Sequence, residues 1–470
     1  MLRLALGFEF KRLQRSWAGA LAVIAFLTVG ALAILVGQLN VAQWESALRA
    51  GAEAQESSIA EARGFFERGE AGPADRPWVD LSQPRWQDWY AATRVSRQPG
   101  ALAGVAAGAI DSAPAVFRIS RSADPLSAAG YQIENPELAV GAFDLVIVLA
   151  LLLPLLVGVL GLDIGSRERE TRLDMLVAVQ AGAMKRWLIA RMLAITLIAS
   201  ASAVGLCLAA SLVGAASPVD TMLLSIVALI YAALWSGILL TINAQARSVR
   251  SSAFAFGSIW ALLCVLIPAL SAEFALGHFT DDFAAKQTLE ARELRYATAE
   301  RDVAEVLPAF YQRYPELTTA AAALEDPLDP ALARDAHGAI VFASIEERHA
   351  VESERGRQAA TLAERAAWAS PAVAIALTLE RLAGVGPEAA ASYRDSLMRA
   401  VSDRVDWVVS RNWAKRPLDL DDFEALITDQ AEFVAPERRA LGNPVIALCI
   451  WTSFAWLLAL RGLSRSRTSG

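Results

Sequence analysis

The side chains able to do chemistry in this 470-residue chain are few, and most lie beside apolar sequence. Asp144 and Asp163 bracket an apolar run, Ala142 to Ile164. Carboxylates next to hydrocarbon are costly, so substrate contact, proton transfer or a headgroup contact are the roles they suggest, beside a plain structural one. Pro154, in the middle of that run, forfeits a backbone hydrogen bond and predicts a kinked wall that bends during gating. Directly after the run comes Ser166-Arg167-Glu168-Arg169-Glu170, followed by Leu173, Met175, Leu176, Val177 and Val179. A charged start and an apolar stripe predict one helix lying across the membrane surface, able to press into a partner's groove.

Other chemistries leave no trace. No G-x-x-x-x-G-K-[ST] loop exists to cradle a nucleotide, and none of the four lysines follows a glycine-rich turn. His278, His337 and His349 form no H-E-x-x-H, and Glu346-Glu347-Arg348-His349 reads as a solvated helix face. There is no G-x-S-x-G elbow. No catalytic residue and no metal ligand is therefore assigned. Cys207, Cys264 and Cys449 all fall in apolar runs, where a thiol acts as a small hydrophobe, so a disulfide framework is excluded. A net charge of −7 excludes a nucleic-acid binder carried by overall basicity.

The elements that must position these residues are membrane helices. A chain with 55% hydrophobic and 20% charged residues and a mean hydropathy of +0.37 is too apolar to be soluble at this size. A span needs about 20 apolar residues, and six stretches qualify: 17–36, 142–164, 187–213, 221–244, 252–272 and 444–463. Arg3, Lys11, Arg12 and Arg15 precede the first; Arg167, Arg169, Arg172, Lys185 and Arg186 separate the second from the third; Arg247 and Arg250 separate the fourth from the fifth; Arg461, Arg465 and Arg467 end the chain. Every basic short segment falls on one side, which predicts a multi-pass protein with both termini cytoplasmic. The 165–186 loop and the 464–470 tail lie on that side too.

The long hydrophilic segments 37–141 and 273–441 then lie outside, carrying net charges of −4 and −11 against +8 for the rest. That asymmetry reads as topology before any attraction of cations. The first apolar run is longer than a signal-peptide core and reads as an uncleaved anchor. Residues 1–16 alternate Leu2, Leu4, Leu6, Phe8 and Phe10 with basic side chains, an amphipathic segment suited to the inner leaflet.

Outside the membrane, Val41 to Glu70 is rich in Ala, Glu and Arg without proline, and predicts an outward continuation of the first span. Lys286 to Tyr314, Ile345 to Trp368 and Ala389 to Trp413 read as helices separated by Pro/Asp-rich breaks, and no strand-period run of any length is visible. Ala366 to Leu379 is apolar but too short and interrupted by Pro371. It predicts a buried or interfacial helix rather than a seventh span. The fold class is all-α: six transmembrane helices with two mainly helical domains outside.

The stretch Asn135 to Ala194 carries a resemblance. Asn135-Pro136, Gly141-Ala142-Phe143-Asp144-Leu145, Leu153-Pro154-Leu155-Leu156 and Ser166-Arg167-Glu168-Arg169-Glu170, with Ser370-Pro371-Ala372 and Leu382-Ala383-Gly384 further on, resemble the permease subunits of ABC-2-type transporters. The likeness is to a subgroup with enlarged extracytoplasmic loops, catalogued as a domain of unknown function. It covers most of the chain in layout and about a fifth in motif. Where those relatives continue x-Gly-Thr-Leu, this chain has Thr171-Arg172-Leu173-Asp174, a departure compatible with a divergent half of a heterodimer.

The resemblance implies a type V exporter-like architecture in a bacterial cytoplasmic (inner) membrane. In such permeases the loop after the second span receives the motion of a separate ATPase. Glu168, Arg169 and Glu170 would supply its polar contacts and Leu173, Leu176 and Val177 its apolar face. Partners implied are ABC ATPase subunits, a second permease chain and the lipid bilayer, with no nucleic acid. ATP and Mg would be held by the ATPase and no cofactor by this chain, which is then not itself an enzyme. The function implied is ATP-driven transport, with export the direction. Two other readings stay open: ATPase-driven force transmission to a periplasmic partner without solute transport, and a membrane-anchored scaffold.

Overall fold

Apolar runs this long satisfy their backbone in lipid only as helices or closed barrels, and the computed structural model of the chain resolves them as helices. The structure describes residues 2–92, 94–112, 116–120, 143–172, 184–246, 248–279, 283–325, 328–428 and 442–465. Helix α1 (Leu2–Arg15) leads into α2 (Trp17–Arg68), which starts at the Ser16 cap and ends where Gly69 takes φ 69° and donates to the carbonyls of Phe65 and Phe66. At 1.5 Å per residue this single helix is about 78 Å long, more than twice a bilayer's hydrocarbon core. The other long apolar helices are α4 (Leu145–Glu170), α5 (Met184–Val213), α6 (Pro218–Gln245), α7 (Val249–Phe274) and α14 (Gly442–Arg465). Five of the six expected spans fall inside them, the second (142–164) overlaps α4 from Leu145 onward, and the chain is a multi-pass membrane protein.

Helix α6 is the centre of the bundle, packed on α5 and α14, with Tyr231 and Trp235 fully buried. Trp456 on α14 donates to the carbonyl of Ala233 (2.9 Å), and Asn243 near the end of α6 donates to that of Gly161 (2.8 Å). Close backbone crossings need glycine at one place above all: a Cβ on Gly37 of α2 would lie 1.9 Å from the carbonyl oxygen of Gly104, in the 3-10 helix Ala103–Ser112.

Beyond the bundle, opposite α1, the segments expected as two separate domains share their cores. One core joins α9 (Val303–Arg313), α10 (Pro330–Ala369) and α12 (Pro387–Ala414) around Phe310, Tyr393 and Trp413, and takes in Val95 and Ile119 from the first segment. A second joins the outer third of α2 (Ile59, Ala62, Phe65) and α3 (Pro84–Tyr90) to Phe423 and Leu426 of α13 (Leu420–Thr428). Helix α8 (Phe283–Ala299) packs on α10.

One departure from an all-helical reading is small. Strands β1 (Arg94–Ser96) and β2 (Val116–Arg118) pair antiparallel, Val95 opposite Phe117, and Tyr393 donates to the carbonyl of Val95 (2.9 Å). Three residues are too few to show a period of two in sequence.

Ala366 to Leu379, expected as one buried or interfacial helix, is a hairpin. Helix α10 stops at Ala369, Ser370 caps α11 (Pro371–Ala383), and the tip between them is wedged into the bundle. Ser370 donates to the carbonyl of Leu263 (2.5 Å), about 21 Å along α7 from Val249, near the middle of that span. Trp451, about 14 Å along α14, donates to the carbonyl of Trp368 (3.0 Å). The tip therefore enters the bundle from the side opposite α1 and turns back at mid-depth.

Candidate functional site

Two proline-associated breaks frame that tip. The turn before Pro154 is π-helical over Val148–Leu152, and the turn before Pro268 over Ala261–Leu266. Proline has no N–H to offer the carbonyl four residues back, so oxygens there need other donors. In α4, Tyr231 donates to Ala150 (2.8 Å) and the Trp260 indole to Leu151 (3.1 Å); in α7, Ser370 serves Leu263. The expected kink at Pro154 is thus a widened turn whose loose carbonyls are held by two side chains, Tyr231 of α6 and Trp260 of α7. Asp144 caps α4: its Oδ1 accepts from the N–H of Ile147 and its Oδ2 from that of Gly108, both at 3.1 Å. It is 5% exposed and ties the span to the 3-10 helix. Glu380, outside the six spans on α11, has its carboxyl pushed up to about 7, first by burial and then by the charge of Asp144.

At the opposite end lies a cluster of alternating charge. After Gly161 the chain makes a turn in which Gly165 takes φ 81°, and the short helix Ser166–Glu170 follows. Glu168 accepts from the N–H of Gly165 (2.7 Å) and from Arg191 of α5, whose guanidinium also binds Glu9 of α1. Glu9 in turn meets Arg12 (2.8 Å), and Arg12 meets Asp163 (2.6 Å). Arg191 is 3% exposed, with the Phe8 ring 5.0 Å and the Trp187 ring 5.7 Å from its guanidinium carbon. Three carboxylates and three guanidinium groups, with Arg167 3.7 Å from Asp163, balance in charge, as buried ion groups must.

The next two residues reach other helices. Arg169 donates to the carbonyls of Asn243 and Ala244 (3.0 Å to the latter), a cation on the carbonyl end of α6. Glu170 accepts from the N–H of Val249 (3.3 Å), an anion on the amide end of α7. The structure thus brings Glu168, Arg169 and Glu170 together with Asp163, each on a different neighbour, while Asp144 and Pro154 belong to the other end. Glu168 is mostly buried; Glu170 and Arg167 face out. Arg172 takes φ 59°, a left-handed conformation that favours glycine, where the resembling permeases carry glycine. Leu173, Leu176 and Val177 lie outside the described residues.

Residues 284–428 match the family profile of a domain of unknown function, DUF3526. The matched range contains Ser370-Pro371-Ala372, the tip of the hairpin. No curated protein and no solved structure matches the chain.

Within the DUF3526 range, His349, Asp395 and Ser353 meet, but not as a nucleophile triad. The Nε2 of His349 (2.8 Å) and the hydroxyl of Ser353 (2.9 Å) both address the same oxygen of Asp395. A base must turn one nitrogen to the carboxylate and the other to the serine, and here Nδ1 is buried away from both. Among the described residues no group of three or more Cys, His, Asp or Glu side chains is placed to hold a metal.

Sequence reasoning missed Glu9, Arg191, Asn243, Tyr231, Trp260 and the role of Ser370. Arg191 had a signal: it is the one charged side chain inside an apolar stretch, 187–213. Intramembrane arginine implies a partner, and two carboxylates supply it. Nothing in the sequence pointed to Tyr231 or Trp260 as donors to freed carbonyls.

Proposed function

We propose that this chain is the membrane subunit of an ABC-type transporter, in which separate ATPase subunits drive transport, by resemblance export, across a bacterial cytoplasmic membrane. The observation that carries the reading is the anchoring of Ser166–Glu170. Through Arg191, Asn243 with Ala244, and Val249 this five-residue helix is fixed to α5, α6 and α7, and through Glu9 to α1. A push on the turn that follows it would move the ends of four helices together. Basic residues concentrate at this end, which supports placing it in the cytoplasm with both termini. The proline-relieved turns around the hairpin tip supply the bendable wall that alternating access requires. ATP and Mg would be held by the ATPase, and a second permease chain would complete the pathway.

The test is purification of the tagged chain from native membranes. An ABC ATPase that co-purifies, and whose hydrolysis rate falls when Arg167 and Glu170, the outward-facing members of the turn, are replaced by Gln, supports the proposal. Recovery of the intact chain without any ATPase overturns it. The length of α2 favours a second reading, force transmission to a partner outside without transport; ATPase stimulation by a solute in proteoliposomes separates the two.

A further inference from the structure

At the end of the bundle where α1 lies, a cavity of about 700 Å³ opens between the first turn of α2, the last turns of α4 and the start of α7. One wall is apolar, formed by Ala18, Gly19, Val159 and Leu162. Helix α4 is covered along its apolar length, and of its residues 145–162 Val159 alone is exposed, at 51%. An uncovered apolar side chain on a membrane span faces lipid. Trp17, next to Ala18 in the chain, is 89% exposed, and indole rings concentrate at the membrane–water boundary. The cavity therefore lies at headgroup level with one wall turned to hydrocarbon.

Its lining carries four charged side chains that sum to zero, Arg12, Asp163, Arg167 and Glu170. Arg12 and Asp163 hold each other at 2.6 Å, and Arg12 also meets Glu9. Arg167 and Glu170 face out. Arg167 is 72% exposed and stands 3.7 Å from Asp163, beyond a hydrogen bond, while Glu170 accepts one bond of 3.3 Å from the N–H of Val249. One cation and one anion, three residues apart on the same short helix, thus share a cavity with an apolar wall. An anionic head would meet Glu170 and a simple cation would meet Arg167; a zwitterion suits both. Among the described residues of the lining there is no aromatic ring to cage a trimethylammonium, whereas a carboxylate takes charge-assisted hydrogen bonds from a primary ammonium.

We infer that this cavity holds the head of a zwitterionic phospholipid with a primary ammonium, the phosphate on Arg167, the ammonium on Glu170, and the chains leaving past Val159 into the bilayer. A guanidinium matches a phosphate in two-pronged geometry, and the volume is that of a small-molecule site. The apolar wall selects a lipid over the free head. The inference concerns the chain and its lipid and stands apart from any ATPase.

The test is native mass spectrometry and heat-driven unfolding of the full chain in detergent, without ATPase. Phosphatidylethanolamine, phosphatidylcholine and phosphatidylglycerol with the same acyl chains are added in separate arms, and glycerophosphoethanolamine supplies the head without chains. Saturable retention of phosphatidylethanolamine is expected, with a rise in unfolding temperature that the other arms do not match. Glu170→Gln should weaken that binding about 10-fold and remove the preference over phosphatidylcholine; Arg167→Gln should weaken both lipids about 10-fold, the loss of a charged hydrogen-bonding partner. Both side chains are exposed, so the fold should persist in either variant. Arg186→Gln, at an exposed cation of the same end outside the cavity lining, should leave binding within a few-fold. No retained lipid, equal retention of the three lipids, stronger retention of phosphatidylglycerol, equal binding by wild type and Glu170→Gln, or a chainless head that matches the lipid overturns the inference.

Discussion

Replacing Glu168 tests whether the turn that closes α4 is built into the bundle or merely rests on it. Glu168→Ala removes an acceptor from the Gly165 N–H and one of the two carboxylates on Arg191, which is 3% exposed. Breaking a buried ion pair by deleting one partner costs about 3–5 kcal/mol. Because Glu9 still meets Arg191, the lower end applies, and about 3 kcal/mol is expected. Glu168→Gln keeps the shape but has one oxygen for two donors, so with that oxygen on the Gly165 N–H its NH2 group faces the Arg191 guanidinium donor to donor, for a loss of about 1–3 kcal/mol. Glu170→Ala, at a side chain facing out, should cost under about 1 kcal/mol. The assay is equilibrium unfolding in mixed micelles of the three variants, of Arg191→Met, and of Glu168→Gln combined with Arg191→Met. The pair should show a coupling of about 1–3 kcal/mol. Equal stability of Glu168→Ala and Glu170→Ala, or additivity in the cycle, refutes the clamp.

Tyr231→Phe strands the carbonyl of Ala150 beside Pro154 and should cost about 1–3 kcal/mol by the same unfolding assay; restoring an N–H with Pro154→Ala in that background should recover part of it. Gly37→Ala puts a methyl on the carbonyl of Gly104, and since backbone cannot yield as a side chain does, a loss of about 1–3 kcal/mol is expected, against little change for Gly7→Ala, where nothing lies within 4 Å. Glu380 has a raised carboxyl pKa, so the fold prefers it protonated. Its contribution is full below the unfolded value of 4.5 and is lost as pH rises through about 7. Glu380→Gln should therefore flatten the decline in unfolding temperature between pH 5 and 8, and an unchanged slope would show that the carboxyl does not titrate there.

What the sequence made legible follows from which interactions are local. The six spans and the outward run of α2 were readable because hydropathy and helix propensity act over neighbouring residues. The break at Ser370-Pro371 was visible, but its burial at mid-depth was not, because that depends on a carbonyl freed a hundred residues earlier in α7. Pro154 and Pro268 each announce a freed oxygen. Neither says which side chain will find it. The charged turn stood out in sequence, yet the contacts of Glu168 were invisible until Arg191 and Glu9 were brought to it from two other helices. The pairing of the two long hydrophilic segments was hidden for the same reason: Phe65 and Phe423 belong to one core but lie far apart in the chain.

The unbroken length of α2 turns small tilts into large displacements. From its crossing with the 3-10 helix at Gly37 to its end at Arg68 the helix runs about 46 Å at 1.5 Å per residue. A rigid arm of that reach swings its tip about 8 Å for a 10° tilt, against about 5 Å for the opposite end at Trp17, about 30 Å from the pivot. The tip is not free: Phe65 is packed beside Tyr90, and Arg63 grips Glu424 (2.5 Å). Helices α3 and α13 would be carried with it as one load, so an angular step that moves the membrane end of α2 by about 5 Å displaces both helices by about 8 Å.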